Sequence, residues 1–431
     1  MIDRNRQPNI RAAERPELLP PETFVLDNGI PVYLLKAGNQ DVCRIDFMFR
    51  AGTWEQQVPL QAAMTNAMLQ EGTTGYSAGQ IAEIFDYHGA YLQLYADQHF
   101  GTVSVISLSK HLPRLLPVLE DLLKRSVFPQ SEFETLIERR KQRFSLENEK
   151  VKVLCQKKFS EVLFGKGHPY SQSVILSDFE NLNLHSLIGF YKDFYHSGNC
   201  EVLVAGQFGT GLTDLLNRHI GGNDWTGTKK QEVSFIVNSF TEKQIRVEKK
   251  DAIQSAIWTG KIMVKKDHPD YLALNVLTTI LGGYFSSRLM ANIREKNGFT
   301  YGIGASLVSL KEAGYLVIAT EVDKTYVEGT LTEIKKELER LCEEKVGEEE
   351  LKRVKQYLLG EFVRDFDGPF ALAQSFRDVH EFGLDFGFYG NYYDTIMNIQ
   401  AEQLRQLAVT YLNPESFYTV VAGMKTPFLS F

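Results

Sequence analysis

Two long segments constrain this chain more than anything else in it. "SKHLPRLLPVLEDLLKRSVFPQSEFETLIERRKQ" and "DKTYVEGTLTEIKKELERLCEEKVGEEELKRVKQ" share one spacing of apolar and charged residues. Lys110 aligns with Lys324 at an offset of 214, and Leu136 with Leu351 at an offset of 215. The chain is therefore a tandem duplication with a period near 215, and whatever fold one half takes the other should repeat.

Each half reads as strands followed by helices, on the scale of one α+β domain. "FVLDNGIPVYLLK" holds two short apolar runs around Asp-Asn-Gly, a hairpin signal. "PLQAAMTNAMLQEGTTG" has apolar residues at Leu60, Met64, Ala67 and Met68, a helical period that ends before Gly72. "SAGQIAEIFDYHGA" predicts a helix capped by Ser77. "YLQLYADQHFGTVSVISLS" predicts two strands, two amphipathic helical stretches follow, and "NCEVLVAGQF" predicts a buried strand. The polar, Gly-rich "GGNDWTGTKKQE" is the best linker in the chain. After it the plan restarts: strand "SAIWTGKIMV", helix "DHPDYLALNVLTTILGG", helix "SSRLMANIREKNG", strands in "FTYGIGASLVSLKEAGYLVIATEV", then a helix pair. The expected layout is an arm over 1–20, a first domain over 21–220, a linker over 221–240 and a second domain over 241–431.

Composition narrows the partners. The 431 residues are 43% hydrophobic and 23% charged, as in globular proteins. The net charge is 47 − 54 = −7, which argues against nucleic acid as a partner, since phosphate neutralisation needs clustered cations. No stretch of about 18 apolar residues predicts a membrane span. The first residues lack an apolar signal core, so the expected location is the cytoplasm. Cys43, Cys155, Cys200 and Cys342 form no metal or redox spacing and are expected as buried free thiols.

Chemistry is harder to find. Of the nine histidines, no two stand three or four residues apart, so no helix face offers a histidine pair to a metal. There is no G-x-S-x-G elbow, P-loop or dinucleotide fingerprint. In "IREKNGFTYGIGASL" (293–307) the Gly-x-Gly at 302–304 opens a strand, so it offers no helix N-terminus to a phosphate. Those glycines are expected to let another backbone approach. Arg294 near a helix end and Tyr301 at a strand start are left. A guanidinium and a phenol suit a carbonyl oxygen or an oxyanion, or else serve only as a helix-end charge and a packed ring. His168 in "HPY" is expected to shape a turn, and His88 to be an ordinary satisfied residue.

On "FVLDNGIPVYLL", "LFGKGHPYSQSV" and above all "SSRLMANIREKNGFTYGIGASL", the chain resembles the M16 family of zinc peptidases, the pitrilysin and mitochondrial processing peptidase group. The resemblance covers residues 24–423 and is closest to the short, two-domain bacterial branch. It implies a LuxS/M16 metallopeptidase-like fold. That fold is α+β, with two tandemly duplicated α/β-sandwich domains, each a mixed, mostly antiparallel sheet with helices packed on one face. It also implies that Arg294 and Tyr301 contact substrate peptide. The family's H-x-x-E-H motif would fall on "AMTNA", where Ala63 and Ala67 replace the histidines and Asn66 the glutamate. Alanine cannot bind zinc, and an amide cannot accept the proton a general base must take. The further acidic ligand would fall near Glu147 or Glu149.

The resemblance thus implies a non-catalytic subunit with no cofactor of its own. Zinc would sit in an H-x-x-E-H-bearing M16 partner within a heterodimer that degrades unfolded peptides. A peptide would lie as an added strand beside "GAYLQLYADQ" (89–98). The alternative is a non-enzymatic peptide-binding or assembly protein of the same fold, which could self-associate as a homodimer.

Overall fold

The computed structural model describes residues 15, 18, 20–230 and 233–424. The arm expected over 1–20 falls almost wholly outside them. The first half runs β1 (Glu22–Val25), β2 (Pro31–Lys36), β3 (Val42–Phe49), α1 (Gln61–Met68), α2 (Ala78–Tyr87), β4 (Tyr91–Ala96), β5 (Gly101–Leu108), α3 (Leu112–Lys124), α4 (Gln130–Asn148), α5 (Val151–Phe164), α6 (Leu176–Asn181), α7 (Leu184–Phe194), β6 (Cys200–Gly206) and α8 (Leu212–Ile220). The second runs β7 (Gln244–Glu248), β8 (Gln254–Met263), α9 (Tyr271–Thr278), β9 (Ile303–Ser309), β10 (Gly314–Asp323), α10 (Val327–Glu343), α11 (Glu348–Arg364), α12 (Pro369–His380), α13 (Gly387–Asn398), α14 (Ala401–Tyr411) and β11 (Tyr418–Gly423).

The duplication is visible in the sheets. The first has the order β1-β2-β6-β3-β5-β4 and the second β7-β11-β8-β10-β9. From β2 and from β7 onward the two orders correspond strand for strand. β2–β6 and β7–β11 are the parallel pairs, and the remaining neighbours are antiparallel. The fold is the mixed, mostly antiparallel α+β type expected from the sequence.

Alternation explains the first sheet's core face. Cys43, Ile45, Phe47 and Phe49 of β3 are fully buried, and they share a core with Leu115, Leu119 and Leu122 of α3. The i, i+4, i+7 spacing of those leucines places them on one helix face. The opposite face of each sheet is closed by the other half. Leu35, Met48, Leu203 and Ala205 are covered by Ala373, Phe376 and Val379 of α12. In return, Cys155, Phe159, Val162 and Leu163 of α5 cover Ala256, Val317, Val420 and Ala422 of the second sheet. The halves therefore exchange equivalent helices. Polar contacts clasp the exchange: His380 Nε2 lies 2.8 Å from Glu201 Oε2, and Arg377 donates to the Tyr95 phenol.

The segment between the halves is tied down. Trp225 is buried and donates its indole N–H to Tyr195 O at 3.0 Å. The amides of Asn238 and Phe240 donate to Phe164 O and Val162 O at the end of α5. Local expectations change in the second half, where the end of "DHPDYLALNVLTTILGG" winds as a π-helix over Thr279–Gly283. "SSRLMANIREKNG" is not a regular α-helix, because residues Met290–Lys296 wind as a π-helix. Arg288 forks onto Glu350 of α11 at 2.9 Å for both bonds, and Asn292 donates to Glu333 and Glu337 of α10 at 2.7 Å. Tertiary anchors of this kind override local helix propensity.

Candidate functional site

Helix α1 carries the three positions that could have held a metal. Asn66 is 1% exposed and points inward, donating Nδ2 to Tyr195 Oη at 3.1 Å and to Thr102 O at 3.3 Å. Its Oδ1 is buried without a hydrogen-bond partner. Ala63 is half-buried and Ala67 buried. One helical turn thus offers a methyl, a core amide and a second methyl. Among the described residues no group of three or more His, Cys, Asp or Glu side chains converges.

Ala67 borders a cavity of about 870 Å³ between α1, β4, α4, α5 and the segment around 170–174. Leu94 of β4 and Phe144 of α4 supply apolar wall. The charged lining is Arg139, Arg140, Arg143, Lys157 and Glu147. Glu147 lies 3.7 Å from Lys150 Nζ, while Glu149 faces away and pairs with Lys249 of the second half. Burial, and then the neighbouring Arg139 and Arg143, hold the Arg140 guanidinium below its ordinary range. Burial likewise lowers Lys157, whose ammonium donates to Asn148 Oδ1 and Val174 O. A zinc ion needs donor atoms and negative charge, and this wall supplies alanines and guanidinium groups. The residues present do not fit the metal. The arginine cluster was readable only as "ERRKQR", the polar side of an amphipathic helix, until the fold set it against Ala67.

Arg294 and Tyr301 lie in the second half and do not line that cavity. The turn between them follows the expected design. Gly298 adopts φ +66, a left-handed C′ position, and the Phe299 amide donates back to Ile293 O. Phe299 stacks on Tyr326 at 4.9 Å between ring centroids. Thr300 Oγ1 donates to Glu321 O at 2.7 Å and accepts from the Gly302 amide at 3.1 Å. With 299 and 300 pinned, Tyr301 stands 93% exposed in a bend before β9, not on the strand itself. Arg294 lies 4.7 Å over the Phe285 ring, which is itself exposed. Neither functional group is used up by a buried partner. The close backbone approach expected at 302 and 304 occurs opposite them: a Cβ on Gly282 would meet Ala305 N at 2.5 Å, whereas Gly302 faces open space.

The other histidine expectations agree with the structure. His168 is buried, accepts from the Tyr170 amide at 3.1 Å and stacks on Phe164. It shapes the turn after α5. His88 packs its ring against Tyr87 and His111. Cys43, Cys155 and Cys200 are buried thiols and Cys342 is half-buried.

This fold, a duplicated pair of α/β layers, defines a metallopeptidase-like protein whose helix α1 presents no histidine or carboxylate at 63, 66 or 67. The family model described as insulinase, peptidase family M16, matches residues 35–167, and the peptidase M16 inactive domain matches 181–358. The chain belongs to the M16 peptidase family. It is 23% identical to an uncharacterized zinc protease of Rickettsia felis, over 88% of this chain and 92% of that protein. It is 20% identical to the probable inactive metalloprotease YmfF of Bacillus subtilis, over 80% and 85%. The crystal structure of a peptidase M16 inactive domain from Pseudomonas fluorescens superposes with a TM-score of 0.85 at 21% identity, covering 95% of this chain and 99% of that one. These likenesses support a non-catalytic M16-like protein.

Proposed function

We propose that this chain is the non-catalytic subunit of a heterodimeric M16-type peptidase and lends Arg294 and Tyr301 to the active site of a partner that carries H-x-x-E-H and zinc. One contrast carries the reading. The turn that would hold the metal carries Ala63, Asn66 and Ala67, while the turn bearing Arg294 and Tyr301 is braced by Thr300, Phe299 and Gly298, with Tyr301 exposed and Arg294 half-buried over the exposed Phe285 ring. Decay of an unused fold would not spare one half of the site. Arg294 would hold the peptide backbone and Tyr301 would donate to the scissile carbonyl as charge develops on it. The peptide itself would lie along β4, which forms the open edge of its sheet.

Co-expression with an H-x-x-E-H-bearing M16 chain tests this. The pair should cleave unfolded peptides, and neither chain alone should do so. Arg294→Ala or Tyr301→Ala should cut turnover by about 10- to 1,000-fold, as removal of an oxyanion donor does. Full activity of the complex carrying both substitutions refutes donation in trans. A stable homo-oligomer that holds peptide and ignores every such partner favours the assembly or peptide-holding alternative.

A further inference from the structure

The cavity beside Ala67 is lined by guanidinium and ammonium groups rather than by metal ligands. Arg139, Arg140 and Arg143 stand on one side of α4, at i, i+1 and i+4, and line the cavity together with Lys157. Among the described residues, none of the three arginines makes a hydrogen bond or an ion pair. Like charges one helical turn apart repel, so the cluster works against the helix unless something answers it. Glu71 is the nearby acid that acts on Arg139 and Arg140, and Glu147 on the wall already has Lys150 beside it. Three guanidinium groups and Lys157 thus outnumber Glu71 and Glu147 along this wall, and the cavity carries excess positive charge.

We infer that this cavity takes the carboxylate of an Asp or Glu side chain from an extended peptide laid on the edge of β4. Three features select that ligand. A guanidinium fork matches a carboxylate in plane and can bind it through two parallel bonds. The volume of about 870 Å³ lies in the range of ligand pockets, and its wall includes apolar Leu94, Leu136, Phe144 and Phe179, which suit a peptide's other side chains. Among the described residues β4 pairs only with β5, so its outer edge is open to a further strand, and Leu94 of that strand faces the cavity. Every second residue of an added strand would then point the same way. In chemical terms the chain selects acidic peptides. This inference rests on the peptide-binding part of the proposed function and is independent of donation in trans.

The test is anisotropy of the purified full chain with fluorescent peptides of equal length and unfolded character, differing only by Glu→Gln. The Glu peptide should bind about 10- to 100-fold tighter, the range for hydrogen bonds to a charged group, and the gap should shrink with added salt. The combined variant Arg139→Gln, Arg140→Gln, Arg143→Gln should lose that preference and keep the Gln peptide's affinity. Arg139 and Arg143 are exposed, so Arg143→Glu alone should leave the fold intact and shift preference toward a Lys peptide. Equal binding of the Glu and Gln peptides by the natural chain overturns the inference. So does a Glu preference that survives in the folded triple variant, or a failure to bind any of the peptides. Cleavage by the complex with a zinc-bearing partner, read in the Arg294 and Tyr301 variants, reports separately on the trans role.

Discussion

Asn66 serves structure: its amide is buried and donates to Tyr195 and Thr102. A glutamate there would have to remain charged at a position 1% exposed, facing Tyr195 and a backbone carbonyl. Burial pushes the Tyr195 phenol up, so it stays a neutral donor and offers no counter-charge. Restoring the motif by Ala63→His, Asn66→Glu and Ala67→His is therefore expected to fail. The buried carboxylate destabilises the helix by a few kcal/mol, roughly the cost of an unpaired charge at such a site. The new imidazole at 67 would face guanidinium groups where zinc needs a third anionic ligand. Metal analysis after purification with added zinc should find well below one zinc per chain. Stoichiometric, tightly held zinc would contradict this account. The emptiness of "AMTNA" was legible in the sequence, since alanine has no donor atom. The arginines were not, because nothing local links residue 140 to residue 67.

At the level of elements, α5 and α12 do the most unexpected work. The apolar face of α5 reads as part of an ordinary amphipathic stretch, and periodicity cannot say which sheet it covers. Phe159 is 1% exposed and packs on Trp258 and Tyr315 of the second half. Phe159→Ala should cost about 3–5 kcal/mol of unfolding free energy, as for other buried phenylalanines. Because the ring bridges the halves, the loss should lower one common transition and leave no half-folded plateau, which urea unfolding followed by both tryptophan fluorescence and circular dichroism will show. Separate transitions at the two probes would mean that the exchange is not a stabilising contact. The π-wound segment of Met290–Lys296 has a similar origin. Its sequence favours a helix, and anchors on α10 and α11 decide how it is wound.

For the whole molecule, the exchange predicts that neither half stands alone. A fragment of residues 1–220 would leave Cys155, Phe159, Val162 and Leu163 of α5 uncovered, and the face formed by Leu35, Met48, Leu203 and Ala205 bare. Apolar patches of that kind drive association. The fragment should aggregate or bind a hydrophobic dye strongly, and mixing it with the complementary 221–431 fragment should reduce both effects. A soluble monomeric fragment with native circular dichroism would refute the prediction. No helix of the described residues is long and apolar enough to cross a membrane. The amino-acid sequence by itself determined the period near 215, the repeated order of strands and helices, the absence of a histidine or carboxylate at 63, 66 and 67, and the seven-residue spacing of Arg294 and Tyr301. All of these are local patterns or residue identities, and they survive without knowledge of neighbours. Only the tertiary structure decided which sheet each exchanged helix closes, that Glu149 turns away to Lys249, and that three arginines gather beside Ala67. Those facts join residues from about 70 to more than 200 positions apart. Such contacts come from burial and charge summed over the whole chain, which no short stretch of sequence encodes.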